Sequence, residues 1–277
     1  MILAHLADIH FGRENQSALD AAREVILASG AEAVVVAGDL TQRGKRSEFI
    51  ASREYLRSFD LPVLCVPGNH DTPLLHVGAR ATNAFGRYNS FMSEFPDEME
   101  AERILIRGLN TSRGWQARSN WAEGSVSLRR LDHIIGVGAT EDSPLIRAVV
   151  CHHPFRQPSK ARLRTATRRG AEASRRLAAS GVSLLLTGHV HTPHAEVIEE
   201  EEGRYLAITA GTLSTRLRAE QPSFNLITLG TDQLALSVLS FSDGSFTQSA
   251  EGKWSLKDLE PVATPRVVTV QHQEGAD

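Results

Sequence analysis

Five apolar runs of strand length in this chain are each followed closely by side chains that offer oxygen or nitrogen donors. Residues 2–7 precede Asp8-Ile9-His10, and 33–37 precede Gly38-Asp39. Residues 61–66 precede Gly68-Asn69-His70-Asp71, 145–151 precede His152-His153, and 182–186 precede Gly188-His189-Val190-His191. Near-continuous apolar strands are covered on both faces. Segments 17–29 and 45–59, lying between the first three strands, carry a helical period. Strand-helix-strand units of this length imply parallel strands with right-handed crossovers. In an open parallel sheet the C-terminal strand ends line one crevice. Residues from Asp8 to His191 can therefore converge without long loops.

The remaining pattern is less regular. Residues 72–102 read as a helical excursion, 104–109 as a strand, 125–136 as strand into helix, and 166–179 as a helix. After His194 the helical period disappears, and 194–199, 204–210, 223–229 and 233–241 read as strands of a second sheet packed on the first. One domain is expected over 1–254, followed by a polar tail over 255–277. That tail is either loosely held or, through Val267, Val268 and Val270, adds an edge strand.

With 277 residues and 41% apolar side chains, the chain can bury a large core. Its formal charge of -3 gives no general reason for a nucleic-acid or membrane partner. No apolar run is long enough to cross a bilayer, and Met1 leads into strand-like sequence without a basic leader, so the expected location is cytoplasmic. Cys65 and Cys151 both sit inside apolar runs and read as buried thiols rather than a disulfide.

Imidazoles with carboxylates suit Mn, Fe or Zn better than Mg or Ca. The number of donors exceeds what one ion needs, which favours two ions about 4 Å apart, the spacing that suits an in-line displacement. Glycines 38, 68 and 188 allow tight turns or close backbone approach beside the donors.

These motifs resemble those of the calcineurin-like metallophosphoesterases. The family's D-x-H, G-D-x-x-x-x-G, G-N-H-D/E, strand-end His and G-H-x-H appear as Asp8-Ile9-His10, Gly38 to Gly44, Gly68 to Asp71, His152-His153-Pro154 and Gly188 to His191. Ala7 stands where many members have Ser. The resemblance implies a sandwich of two packed mixed β-sheets flanked by helices. By the same resemblance, Asp8, His10 and His191 would hold one ion. Asn69, His152 and His189 would hold the other, with Asp39 bridging and His153 supporting. His70 would contact the phosphate or protonate the leaving oxygen, and Asp71 would orient its ring. Hydrolysis would proceed by in-line attack of a hydroxide bridging the two ions.

Similarity over 1–91 is to the cyclic-nucleotide and glycerophosphodiester branch, which makes a small phosphodiester such as 3',5'-cyclic AMP the expected substrate. Segment 156–176 carries Arg156, Lys160, Arg162, Arg164, Arg168, Arg169, Arg175 and Arg176 against one acid, Glu172, and suggests a nuclease instead. A phosphomonoesterase is a further alternative. Arg13, Arg43, Arg162 and Arg164 are candidate phosphate contacts. A protein-binding scaffold of the same fold would be expected to have lost ligands, and here none of the motif positions is missing. No membrane partner is expected, and a homodimer is left open.

Overall fold

The computed structural model of the protein describes residues 1–73, 77–115, 120, 122–136, 146–218 and 220–267. The chain opens with β1 (Ile2–Leu6), α1 (Gln16–Ala28), β2 (Ala33–Ala37), α2 (Arg46–Arg57) and β3 (Val63–Val66). It continues through α3 (Val77–Thr82), α4 (Gly86–Met92), β4 (Glu98–Ala101), β5 (Ile104–Leu109), α5 (Leu128–Gly136), β6 (Ile146–Cys151), α6 (Gly170–Ala179) and β7 (Leu184–Thr187). The final strands are β8 (His194–Glu200), β9 (Gly203–Thr209), β10 (Ser223–Leu229), β11 (Gln233–Ser242), β12 (Ser245–Ser255) and β13 (Pro261–Val267).

Two mixed sheets result. One runs β13-β12-β11-β10-β1-β2-β3 and the other β4-β5-β6-β7-β9-β8. The parallel sets are β1-β2-β3 in the first and β5-β6-β7-β9 in the second. Alternation along each strand decides which layer a side chain enters. Leu3, Val35, Leu64, Ile106, Val150 and Leu186 meet between the sheets. Ala4, Leu6, Val34, Val36 and Cys65 face out under Leu19, Ile26, Phe49 and Leu56 of α1 and α2. Val149, Cys151 and Leu185 face Leu131, Ala173 and Leu177 of α5 and α6. Both faces of the parallel strands are therefore covered, which explains their unbroken apolar runs.

The C-terminal strands do not form a sheet of their own, contrary to the sequence expectation. β8 and β9 extend the second sheet beside β7, with Leu184 opposite Leu206. β10 pairs antiparallel with β1, Leu3 opposite Ile227, and brings β11 to β13 onto the first sheet. The β1 edge of the first parallel set and the β7 edge of the second thereby gain partners, while β3 remains an edge strand. β4 and β12 were not anticipated. Over 125–136 only an isolated bridge between Ser125 and Arg168 precedes α5. Helix α6 starts at Gly170, later than the sequence period implies, because Arg169 takes a left-handed φ of 61°. Leu145, Val268 and Val270 lie outside the described residues.

Cys65 and Cys151 are free and buried, and burial pushes the Cys65 thiol up to about 12. Among the described residues no helix is long and apolar enough to cross a membrane.

Candidate metal centre

The C-terminal ends of β1, β2, β3, β6 and β7 meet at one place. The loops after them are laced together by backbone hydrogen bonds. Asp8 N–H donates to Gly38 O at 3.0 Å, His10 N–H to Asp39 O at 2.9 Å, and Gly188 N–H to His152 O at 3.1 Å. Two bonds cross between the sheets: His152 Nδ1 meets Ala37 O at 2.8 Å, and His189 N–H donates to Asp8 Oδ2 at 2.7 Å. Gly38 has a φ of 83°, and a Cβ there would sit 2.7 Å from His152 Nδ1. A Cβ on Gly68 would lie 2.1 Å from Asp39 Oδ1. Any side chain at either position displaces a donor.

The backbone itself is strained here. Asp8, His10, Asp39, His189 and His191 have φ values of 53°, 51°, 54°, 71° and 57°. Among the described residues these are five of the nine non-glycine residues with positive φ, so strain is concentrated at the donors. Left-handed φ costs a non-glycine residue roughly 1–2 kcal/mol. Such strain persists where the surrounding structure fixes it, commonly at functional sites. Nothing in residue spacing announces it.

Asp8, His10, Asp39, His152, His189 and His191 are all buried, as is Asn69. Nδ1 of His10 faces Thr41 O at 3.4 Å, Nδ1 of His152 faces Ala37 O, and Nδ1 of His191 faces Arg216 O at 2.7 Å. A carbonyl oxygen only accepts, so each Nδ1 carries a proton and each Nε2 is turned to the centre as a ligand atom. His191 Nε2 lies 3.0 Å from Asp8 Oδ1 and 3.3 Å from His10 Nε2. Asp8 Oδ1 is fully buried with no hydrogen-bond partner. Asp39 Oδ2 stands between two rings, 3.7 Å from His10 Nε2 and 3.3 Å from His152 Nε2. His152 Nε2 is also 3.2 Å from Asn69 Oδ1.

Asp8, His10 and His191 thus form one cluster whose ligand atoms lie within 4.8 Å of one another. His152 and His189 belong to another, and Asp39 groups with donors of both. An orphaned buried carboxylate oxygen and several inward lone pairs are the environment a cation satisfies, so these residues fit a pair of metal ions. His153 also approaches His152 and His189. Both its nitrogens are engaged, Nδ1 with Thr111 Oγ1 and Nε2 with Ala122 O, each at 2.9 Å. It therefore buttresses the neighbouring rings.

Burial lowers His10 to about 3 and holds His189 well below the usual imidazole range. Burial also pulls on His152, but the adjacent Asp39 carboxylate outweighs it and raises the ring to about 9. Burial alone would raise Asp39, yet the facing His152 holds it well below the usual carboxylate range.

His70 is half-buried at the rim. Its Nδ1 meets Gln42 O at 2.8 Å, and its backbone N–H donates to Asp39 Oδ1 at 2.8 Å. Its ring stands edge-on to His10 with centroids 4.9 Å apart. The expected orienting role of Asp71 is not what the structure shows, since Gln42 O already occupies His70 Nδ1. Asp71 is fully buried and accepts from Leu40 N, Thr41 N, Thr41 Oγ1 and Gly68 N at 2.8–3.2 Å. It clamps the Asp39 loop to the Asn69 loop.

Arg13 and Arg43 are exposed on the loops that carry His10 and Gln42. Arg162 and Arg164 are exposed on the 156–169 loop, with no hydrogen bond to the donor set among the described residues. Arg156 is paired with Glu200, and Arg175 and Arg176 with Glu172 and Asp132. The residue missed by sequence reasoning is Arg216. Its Nη1 lies 3.0 Å from His70 Nε2 and 3.3 Å from His10 Nε2. No motif marks it.

Known proteins agree with this architecture. The chain is 33% identical over 87 residues to the glycerophosphodiester phosphodiesterase GpdQ of Enterobacter lignolyticus, covering 26% of this chain and 30% of that one. The match thus spans about a third of that relative. A dimetal phosphatase from Danio rerio superposes with a TM-score of 0.60 at 14% identity, over 86% of this chain and 95% of the other. GAP50, the anchor in the inner membrane complex of Plasmodium, superposes at 0.57 and 14% identity, over 99% and 90%. At such identities both structures speak to fold alone.

Two predictions follow from the geometry. Because His152 is raised to about 9, a metal binding at its Nε2 below that pH must displace a proton. Apparent metal affinity should fall about tenfold per pH unit lowered between 8.5 and 6.5. Chelator competition across that range measures it, and a flat profile contradicts the assignment. Asp71→Ala should strand four donors and lower the unfolding free energy by roughly 3–5 kcal/mol in urea titrations of chelator-treated protein. A loss under about 1 kcal/mol would remove the clamp role. The calcineurin-like phosphoesterase family model matches residues 1–193, well over half of the chain, and the protein belongs to that family.

Proposed function

We propose that this protein is a metal-dependent phosphoester hydrolase acting on a small phosphodiester, with 3',5'-cyclic AMP as the leading candidate. One observation carries the reading: buried donors converge with the Nε2 atoms of His10, His152 and His191 inward and Asp8 Oδ1 unpaired, an arrangement suited to two transition-metal ions such as Mn, Fe or Zn. Bound there, two such ions supply an activated water and offset charge on the phosphoryl oxygens. Asp8, His10 and His191 would hold one, Asn69, His152 and His189 the other, and Asp39 would bridge.

The chain's own residues supply the remaining functions. Loops tied by Asp71 and by the cross-sheet bonds fix the donor positions before substrate arrives, so little reorganisation is needed during reaction. With Nδ1–H held by Gln42 O, His70 turns Nε2 to the half-exposed rim, where the imidazolium form could donate to a phosphoryl oxygen or pass a proton to the leaving group. Arg13 and Arg43 are placed on adjoining loops where they can meet the ester's outer oxygens.

The preference for a small diester is supported by the partial likeness to a glycerophosphodiester phosphodiesterase. It is also supported by the pairing of Arg156, Arg175 and Arg176 with acids, which breaks up the basic track a polynucleotide would need. Arg162 and Arg164 remain candidates for a nucleic-acid backbone. GAP50 is an anchor of the same fold, so fold alone does not separate an enzyme from a scaffold. The donor set favours the enzyme.

A metal-loaded panel of cyclic AMP, glycerophosphodiesters, an aryl phosphodiester, an aryl phosphomonoester and single- and double-stranded DNA tests this reading. Small diesters should turn over fastest. No turnover of any ester by protein holding two ions per chain would overturn it. In the same assay His70→Ala should keep both ions and lose about 10²–10⁴ in turnover. Loss of the ions would contradict the role given to His70.

A further inference from the structure

We propose that Arg216 is a phosphate-binding residue of this centre, its guanidinium taking a non-bridging oxygen of the ester across the face where His10 and His70 meet. The proposal rests on the phosphoesterase reading and adds to it a residue that the family motifs do not contain.

The loop after β9 is built to hold Arg216 in place. Thr212 Oγ1 donates to Asp8 O at 2.6 Å and lies 2.7 Å from Ser214 Oγ, which accepts from Arg216 N–H at 3.2 Å. Thr215 adds two bonds to Arg13 O, from its N–H at 2.8 Å and its Oγ1 at 2.9 Å. Arg216 O takes the Nδ1 proton of His191. The backbone of residue 216 thereby orients a metal ligand while its side chain turns over the centre. Both partners of Nη1 are ring nitrogens, His70 Nε2 and His10 Nε2. Among the described residues no carboxylate forms an ion pair with Arg216, and the structure places its half-buried guanidinium against ring nitrogens at the mouth of the site.

His10 Nε2 cannot serve a metal and a guanidinium N–H with the same lone pair. Once His10 ligates, Arg216 needs another acceptor within reach of His70, and a phosphoryl oxygen at the reaction centre meets that need. The planar guanidinium suits it, since its parallel N–H groups match two oxygens of one phosphate. Arg218, two residues on, adds a second guanidinium to this rim. Burial, with Arg216 as the next cause, holds Arg218 below the usual arginine range. The Asp8 carboxylate acts against that shift but is outweighed, so the two like charges favour an anion at this rim.

The two duties of residue 216 are separable, because the carbonyl that orients His191 survives any side-chain change. In metal-loaded protein, calorimetric titration with inorganic phosphate should show Arg216→Ala weakening binding about ten- to hundred-fold. Arg216→Lys should recover part of the loss, and metal content should stay at two ions per chain in both. Unchanged phosphate affinity in Arg216→Ala would overturn the proposal and leave the phosphoesterase reading standing. Loss of metal in that variant would also overturn it, by showing a structural role. If the unaltered protein, loaded with metal, neither bound phosphate nor hydrolysed any ester, both would fall together.

Discussion

Buried lone pairs that face one another repel unless a proton or a cation stands between them, and the structure concentrates that demand at a single point. Asp8 Oδ1, Asp39 Oδ2 and the Nε2 atoms of His10, His152 and His191 lie within bonding reach of a common space that water does not enter freely. Left to themselves such groups would separate or change protonation. Here they cannot separate, because strained turns, cross-sheet hydrogen bonds and the Asp71 clamp fix each one. The same arrangement that is unfavourable for the protein alone is favourable around positive charge. The rise of His152 to about 9 beside Asp39 expresses that demand in the currency of protons. Two sheets of mixed strands, packed face to face with helices outside, are the framework that keeps the parallel strand ends aimed at one place.

Much of this was legible in the sequence because its signals are local. An apolar run ending in Asp, Asn or His marks both a buried strand and the chemistry at its end, and the donors from Asp8 to His191 could be found that way. Other features depend on contacts distant in sequence. Arg216 reaches His10 and His70 only because β10 pairs with β1 and carries the preceding loop back over the site. Asp71 follows the ligand motif and reads equally well as a ring partner; only the positions of Leu40, Thr41 and Gly68 reveal the clamp. Strand β12 is mostly half-exposed and polar, so its period is faint, although Trp254 within it is buried between the sheets. The division of the last strands between two sheets depends on which edges are open, which no local pattern records.

Fold and substrate are decided by different parts of the chain. The sandwich is shared with a phosphatase and with an anchor protein, so the fold alone is a permissive scaffold. Chemistry comes from the donors at the strand ends. At the rim, Arg216 reaches the centre, while Arg13 and Arg43 are exposed on the loops that carry His10 and Gln42. Within the larger basic segment, Arg156, Arg175 and Arg176 are committed to Glu200, Glu172 and Asp132.

The central claim is that this donor set exists to hold two cations. Elemental analysis of the protein after loading with Mn or Zn and removal of excess metal tests it most directly. The account predicts two ions per chain in the unaltered protein and a clear loss in Asp39→Ala, which lacks the oxygen shared by both clusters. One ion or none in the unaltered protein, or two retained in Asp39→Ala, would contradict it.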